Sequence, residues 1–464
     1  MSVAIFSNYL NAAVTDRRYN HPMGSLFLHE FHHHLDARFA ELNGTETVND
    51  YGDWLAEHAA LRQSVGVLDL SGRSRICLTG ADRVRFLHGQ VTNDVKKLRV
   101  GDGCYAAITT NKGKMESDLN IFCLADELLL DFEPGLTEKI SQRLEKFIVA
   151  DDVQIVNVVP QYGLLSVQGP EAEQVVRAIG LFGWGERPRE PHVQANPDGS
   201  SGASPHPFPV KALDSVKISD ATLGEIYLMN HARLFSSPLP AKRGEGQGEG
   251  QHFTSSPRPS PPFHGREGEN ISSGFDLFVP NPSLGAVADK LIAAAKQIGG
   301  LVAPKQSEGG RACGWQAFET ARIEAGIPRF GLDMDETNIP LECGIENRAV
   351  SYNKGCYVGQ EVINRIHSVG HVTRELRGLR LADPASAGLP LPQRGDKLFH
   401  NGKEIGFVTS AVKSPMLNAN IALGYIRREA NQIGTELVLR TVAGESSAKI
   451  VEIPFLGGSP CQRP

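Results

Sequence analysis

The chain has 464 residues, 41% hydrophobic and 22% charged, with a formal net charge of −6. This composition excludes a wholly disordered or fibrous protein, and the acidic balance offers no broad basic surface, so direct nucleic-acid binding is not expected. Seven cysteines stand singly with no C-x-x-C spacing, which excludes a zinc ribbon or thioredoxin-like pair and predicts reduced thiols in the cytoplasm.

Residues 1–25 read as a flexible tail: MSVAIFSNYLNAAVTDRR has neither the basic start nor the apolar core of a signal peptide. No apolar run is long enough to cross a bilayer, so no membrane partner is expected. Phe27, Phe31, Leu35 and Phe39 recur at four-residue steps and predict a helix. Asp50 is placed to cap a second helix carrying Trp54, Leu55, His58, Leu61 and Val65, with Gly66 as its stop. Strands are predicted at Val67–Leu70 and Ser74–Thr79, then a short helix at Arg83–His88. Further strands follow at Cys104–Thr109, Leu119–Leu124 and Leu128–Phe132, and a helix at Glu138–Ile148. The irregular alternation predicts an α+β fold rather than a doubly wound sheet.

Two stretches interrupt the region 26–374. Residues 188–209 read as a loop insertion, and 236–273, dense in Gly, Pro and mixed charge, as a disordered low-complexity insertion. Pattern resumes at Gly274–Pro280, with helices at Leu284–Ile298 and Trp315–Ala325. From 375 to 464 short β-like runs alternate with Gly and Pro turns (Leu379–Leu381, Lys397–Phe399, Ile405–Ser410, Ile421–Ile426, Leu437–Val442, Lys449–Ile453) and predict an all-β module, a small barrel.

Four segments carry chemical signals. His29-Glu30-Phe31-His32-His33 satisfies H-E-x-x-H, the helical zinc-hydrolase pattern, but no continuation supplies a third ligand, so no metal site is expected. Lys354-Gly355-Cys356-Tyr357-Val358-Gly359-Gln360-Glu361 places Cys356 just before or in the first turn of a helix. There the positive helix end and Lys354 favour a thiolate; the plainer reading is a small buried thiol in a glycine turn. Asn111, Lys112 and Gly113 read as a hairpin turn, with Asp118 just inside the returning strand. That carboxylate either faces solvent or binds a ring N–H of a polar heterocycle. Arg322 stands three residues after Glu319 on one helix, and reads either as a structural ion pair or as a clamp for an acidic ligand tail.

Taken together, VGVLDLSGRSRICLTGADRVRFLHGQVTNDV, the ARIEAGIPRFGLDMDETNIPLECGIENRAVSYNKGCYVGQEV stretch and GDKLFHNGKEIGFVTSAVKSP resemble the glycine-cleavage aminomethyltransferase superfamily, and K-G-C-Y-x-G-Q-E resembles its YgfZ branch. The resemblance implies a three-lobed aminomethyltransferase-like fold around a central hole that binds tetrahydrofolate, with a C-terminal barrel. It also implies a role in iron–sulfur cluster assembly or repair, with iron–sulfur proteins as clients and, in some members, an effect on tRNA modification. On it, Cys356 with Lys354 is the working pair, Asp118 faces the pterin ring, and Arg322 holds the glutamate tail. Asn93, Tyr357, Gly359, Gln360 and Glu361 complete the expected folate contacts.

Three departures bear on activity. Ser117 precedes Asp118 where aminomethyltransferases carry two adjacent aspartates; Phe318 stands at an expected arginine; and the place of an expected glutamate, near Ser272 ahead of Gly274-Phe275-Asp276, abuts the low-complexity insertion. These favour a folate-binding accessory protein that is not a true aminomethyltransferase. The alternatives are a folate-dependent aminomethyl or one-carbon transferase, and a scaffold that has lost folate.

Overall fold

The computed structural model describes residues 24–181, 208–234, 274–302, 309–382 and 390–456. The expected tail up to residue 23, the insertion from 188 to 207 and the whole of 236–273 lie outside the described residues.

Two sheets build the larger part of the molecule. One has five antiparallel strands in the order Gly103–Thr109, Met115–Cys123, Leu128–Phe132, Ser74–Thr79 and Gln154–Asn157. The other has six, in the order Ser215–Asp220, Gly224–Asn230, Gly274–Pro280, Tyr162–Gln168, Gly66–Asp69 and Arg311–Ala312, with only the last pair parallel. Because side chains alternate along a strand, each sheet has two differently used faces. On the first sheet, Ile76, Leu78, Ile108, Leu119, Ile121, Leu128 and Leu130 turn outward and pack with Phe86 and Leu87 of the helix Arg83–Gln90 and with Ile140 and Leu144 of the helix Thr137–Glu145. On the second, Val167, Leu228, Phe275 and Leu277 lie against Val175 and Val176 of the helix Ala172–Ala178 and Leu284, Val287 and Leu291 of the helix Asn281–Val302. The inner faces meet through Cys77, Phe122, Leu129, Leu164, Tyr227 and Phe278, with the Phe122 and Phe278 rings 6.2 Å apart.

The C-terminal module is a closed six-stranded barrel: Arg374–Leu381, Ala419–Arg427, Lys403–Ser414, Lys397–His400, Glu436–Thr441 and Gly444–Val451. Its interior holds Leu379, Leu398, Val408, Leu439 and Ile450. Its outer residues Leu376, Ile421, Leu423 and Tyr425 pack against Met115, Ile323, Cys343 and Ile363, so the barrel is seated on the first sheet's Met115 end.

The expected N-terminal helix is only His29–His33 long, and Phe39 belongs to a strand. Asp36 adopts a left-handed φ of 58° and ends the helix, and Asn43 and Gly44, at φ 51° and 76°, turn a hairpin joining Arg38–Leu42 to Thr45–Asp50. Two successive positive φ values are what an Asn-Gly turn supplies at little cost, and this local signal outweighs the four-residue apolar spacing. Asp53, rather than Asp50, caps the helix Trp54–Gln63, accepting from the Ala56 amide at 3.1 Å. Asp50 instead accepts from Arg38 Nε at 2.7 Å and from the Gly52 amide at 2.8 Å.

Candidate active site

The inner face of the five-stranded sheet carries its polar residues in register. Ala107 pairs with Asp118, Tyr105 with Asn120, Asn120 with Asp131, and Arg75 with Asp131. The strand alternation that sends Leu119 and Ile121 outward therefore sends Asp118 and Asn120 inward, and the same logic turns Asp131 and Glu133 inward from Leu130 and Phe132. Arg73 grips this row, donating from Nε to Asp131 at 2.8 Å and from Nη1 to Glu133 at 2.6 Å. From the opposite sheet Arg233 reaches Asp131 at 2.9 Å and Asp276 at 2.9 Å, while His231 Nδ1 lies 2.8 Å from Asp276.

This lattice has two electrostatically distinct ends. At the Asp131 end burial opposes charge, but Arg233 and Arg73 outweigh it and hold that carboxyl far below the usual carboxylate range. His231 is pulled down by burial, with Arg233 adding to the effect. At the other end the Tyr105 hydroxyl donates to Asp118 Oδ2 at 2.7 Å, yet burial and then the Glu133 charge push Asp118 up to about 6. Glu133 is 7% exposed and its Oε2 has no hydrogen-bond partner; Arg75, fully buried, likewise leaves Nε and Nη1 unpartnered. A carboxyl that exchanges its proton near neutrality thus stands beside a buried, unsatisfied acceptor. Such a pair can bind ring N–H groups and move a proton.

Cys356 is exposed and lies on the loop just ahead of the helix Gln360–Val369, whose N-cap is Gly359; this is the first of the two positions expected for it. Lys354 does not serve it: Nζ is buried and donates to the carbonyls of His88 at 2.5 Å and Val91 at 2.6 Å, closing the end of the Arg83–Gln90 helix. Burial draws this ammonium down to about 8. Gly359, at φ 89°, packs so closely on Thr110 that a Cβ would stand 2.5 Å from its carbonyl oxygen, which makes its role one of backbone fit. Tyr357 is buried with an unpartnered hydroxyl; Gln360 is half-buried and Glu361 exposed in the first turn of the helix.

Asn93 and Arg322 are both engaged by protein. Asn93 Nδ2 donates to the carbonyls of Tyr105 and Arg348, each at 2.8 Å, and so braces the strand that carries Tyr105. Arg322 is 3% exposed and gives its donors to Glu319, Asp333, the Ile327 carbonyl and Ser410. With these bonds the guanidinium ties the Trp315–Glu324 helix to the barrel, as the ion-pair reading of Glu319 and Arg322 has it. Of the H-E-x-x-H histidines, His29 Nδ1 lies 2.9 Å from Glu46 and His33 is exposed, while His32 between them bridges Asp69 at 2.8 Å and Tyr51 at 2.9 Å. Among the described residues no group of three or more His, Cys, Asp or Glu side chains converges on a metal position.

Of the expected residues, the structure thus puts Asp118 alone within the charged lattice. Arg73, Tyr105, Asp131, Glu133, Arg233 and Asp276 were missed. Their signal was available: charges at alternate positions of otherwise apolar strands, as in Arg73-Ser74-Arg75-Ile76 and Leu128-Leu129-Leu130-Asp131.

Two family models match the chain: the GCVT N-terminal domain over residues 28–182 and the glycine cleavage T-protein C-terminal barrel domain over 374–456, together just over half of it. The chain belongs to the glycine-cleavage T-protein superfamily. An aminomethyltransferase of Halalkalibacterium halodurans is 27% identical over 418 residues, covering 88% of this chain and 93% of that relative. One of Corynebacterium jeikeium is 27% identical over 436 residues, covering 92% and 97%. The crystal structure of the glycine cleavage system aminomethyltransferase T from Bartonella henselae aligns with a TM-score of 0.70 at 20% identity, covering 94% of this chain and 98% of that one, which shows a shared fold.

These T-protein relatives overturn the expectation of an accessory factor for iron–sulfur proteins with a cysteine at its centre. Matches to aminomethyltransferases run through nine-tenths of the chain, and neither iron–sulfur clients nor tRNA modification has support among them. Of the residues that depart from the expected pattern, Ser117 is buried on the strand face opposite to Asp118, and Phe318 packs in the core between the two sheets. Tetrahydrofolate is the cofactor of the aminomethyltransferase family. The acidic end of the lattice fits it, because a pterin presents ring and amino N–H donors and Glu133 Oε2 is a buried acceptor without one. No helix among the described residues is long and apolar enough to cross a membrane.

Proposed function

We propose that this protein is a folate-dependent aminomethyl or one-carbon transferase, a T-protein relative bearing the K-G-C-Y-x-G-Q-E motif of the YgfZ type, with its reaction centre at Asp118. The observation that carries the reading is the Tyr105–Asp118–Glu133 group: a half-buried carboxyl pushed up to about 6 and oriented by a tyrosine hydroxyl beside an unsatisfied buried acceptor. Bound tetrahydrofolate would supply the nucleophilic nitrogen that takes up the one-carbon unit. Asp118 would hold and return a proton at Oδ1 or Oδ2, a role worth roughly 10²–10⁴ in rate. Tyr105 fixes the carboxyl's direction, Glu133 accepts from the ring edge, and Arg73 and Arg233 keep the lattice rigid so that these groups need no reorganisation.

Calorimetric titration with tetrahydrofolate tests the pocket. The expected result is saturable one-to-one binding, weakened about tenfold or more in Glu133→Gln, where one oxygen is replaced by an NH₂ donor. No binding by the wild-type protein, or unchanged affinity in the variant, contradicts the reading.

A further inference from the structure

A folate-class ligand also needs an accessible cation, and Arg75, whose Nε and Nη1 are unpartnered in the lattice, is fully buried. The ligand's pterin ring is neutral, but its far end carries carboxylates, and these need a cation with free donors. Arg73 and Arg233 are neutralised by Asp131, Glu133 and Asp276, and Arg322 by Glu319 and Asp333. Lys354 is buried with its ammonium on two carbonyls.

Arg348 is differently placed. It lies in the short helix Glu346–Ala349 and is exposed, and its guanidinium carbon stands 5.3 Å from the centroid of the Tyr105 ring, whose hydroxyl holds Asp118. Its backbone is pinned from both sides. Asn93 Nδ2 binds the Arg348 carbonyl at 2.8 Å, and Thr92 Oγ1 binds the Ala349 carbonyl at 2.5 Å. Among the described residues no carboxylate lies within ion-pair distance of it. A guanidinium lying over an aromatic ring without a carboxylate partner keeps N–H donors that a carboxylate can take up bidentately.

We infer that Arg348 is the specificity residue for the carboxylate end of the ligand, so that the site selects pterins bearing a glutamate tail over the bare ring. This rests on the proposed folate reading. The two are separated by titrating two probes, tetrahydrofolate and 6-methyltetrahydropterin, into wild-type protein, Arg348→Gln and Arg348→Lys. The expectation is that Arg348→Gln weakens tetrahydrofolate about tenfold to a hundredfold while affinity for 6-methyltetrahydropterin changes less than about twofold, and that Arg348→Lys recovers part of the loss. Raising the salt concentration should narrow the wild-type preference. Equal weakening of both probes, or weakening of neither, overturns the role of Arg348 and leaves the folate reading standing. Failure of wild-type protein to bind either probe overturns both.

Discussion

At the scale of single residues the site is governed by burial working against a carboxyl. Asp118 ionises around 3.8 in its unperturbed state and near 6 in the fold, because burial and then the neighbouring Glu133 disfavour its charge. The native state therefore binds more protons than the unfolded chain between about pH 4 and pH 6. This contribution to stability is complete below that window and is lost as pH rises through it. Asp118→Asn keeps an acceptor for the Tyr105 hydroxyl while removing the charge, so it should stabilise the protein at pH 7, by on the order of 1 kcal/mol for a half-buried group, and lose that advantage at pH 4. Denaturant melts at the two pH values check this; a variant that is less stable at pH 7 contradicts the electrostatic account. A residue that costs stability in its working form is what a reaction centre is expected to contain. Sequence reading reached Asp118 through its place after the Asn111–Gly113 turn, but it could not rank it against Cys356. Whether a thiol sits in a helix's first turn or three residues before the N-cap depends on where Gly359 turns left-handed, and only the packing against Thr110 decides that.

At the scale of elements, polar groups act mainly as fasteners. Asp333 is 1% exposed and accepts from Arg322, from Thr409 Oγ1 at 2.5 Å and from Ser410 Oγ at 2.6 Å, so one carboxylate joins the Trp315–Glu324 helix, its following loop and the barrel strand Lys403–Ser414. Replacing Arg322 with methionine leaves this buried charge without its cation. The expected cost is about 3–5 kcal/mol in a denaturant melt, with folate affinity in the surviving folded protein changed little. A stable variant with weakened folate binding would return Arg322 to the role of ligand clamp. The strands Ser74–Thr79 and Leu128–Phe132 and the barrel runs were legible because apolar alternation and Gly or Pro punctuation are local. The hairpin at Asn43-Gly44 and the strands Gln154–Asn157, Tyr162–Gln168, Ser215–Asp220 and Gly224–Asn230 were passed over. The first was masked by a competing apolar period, and the others interleave between sheets in an order that local pattern does not encode.

At the scale of the whole molecule the site exists because two sheets present charged inner faces to one another. Asp131 belongs to one sheet and Asp276 to the other, and Arg233, which follows the Gly224–Asn230 strand, bonds both. The antiparallel strands Gly224–Asn230 and Gly274–Pro280 are neighbours, and the His231 amide donates to the Gly274 carbonyl at 2.8 Å. The α+β class, the barrel and the superfamily were therefore readable from motifs in order along the chain. The charged lattice was not, because each member shows only as a charge in an apolar strand and the set spans about 200 residues, from Arg73 to Asp276. The most direct measurement of the central claim is transfer itself: purified protein is incubated with tetrahydrofolate and an aminomethyl donor labelled at its methylene carbon. The account predicts label in the folate fraction with equimolar release of ammonia, falling about a hundredfold or more in Asp118→Asn. Absence of label with wild-type protein, or undiminished transfer in that variant, would contradict it.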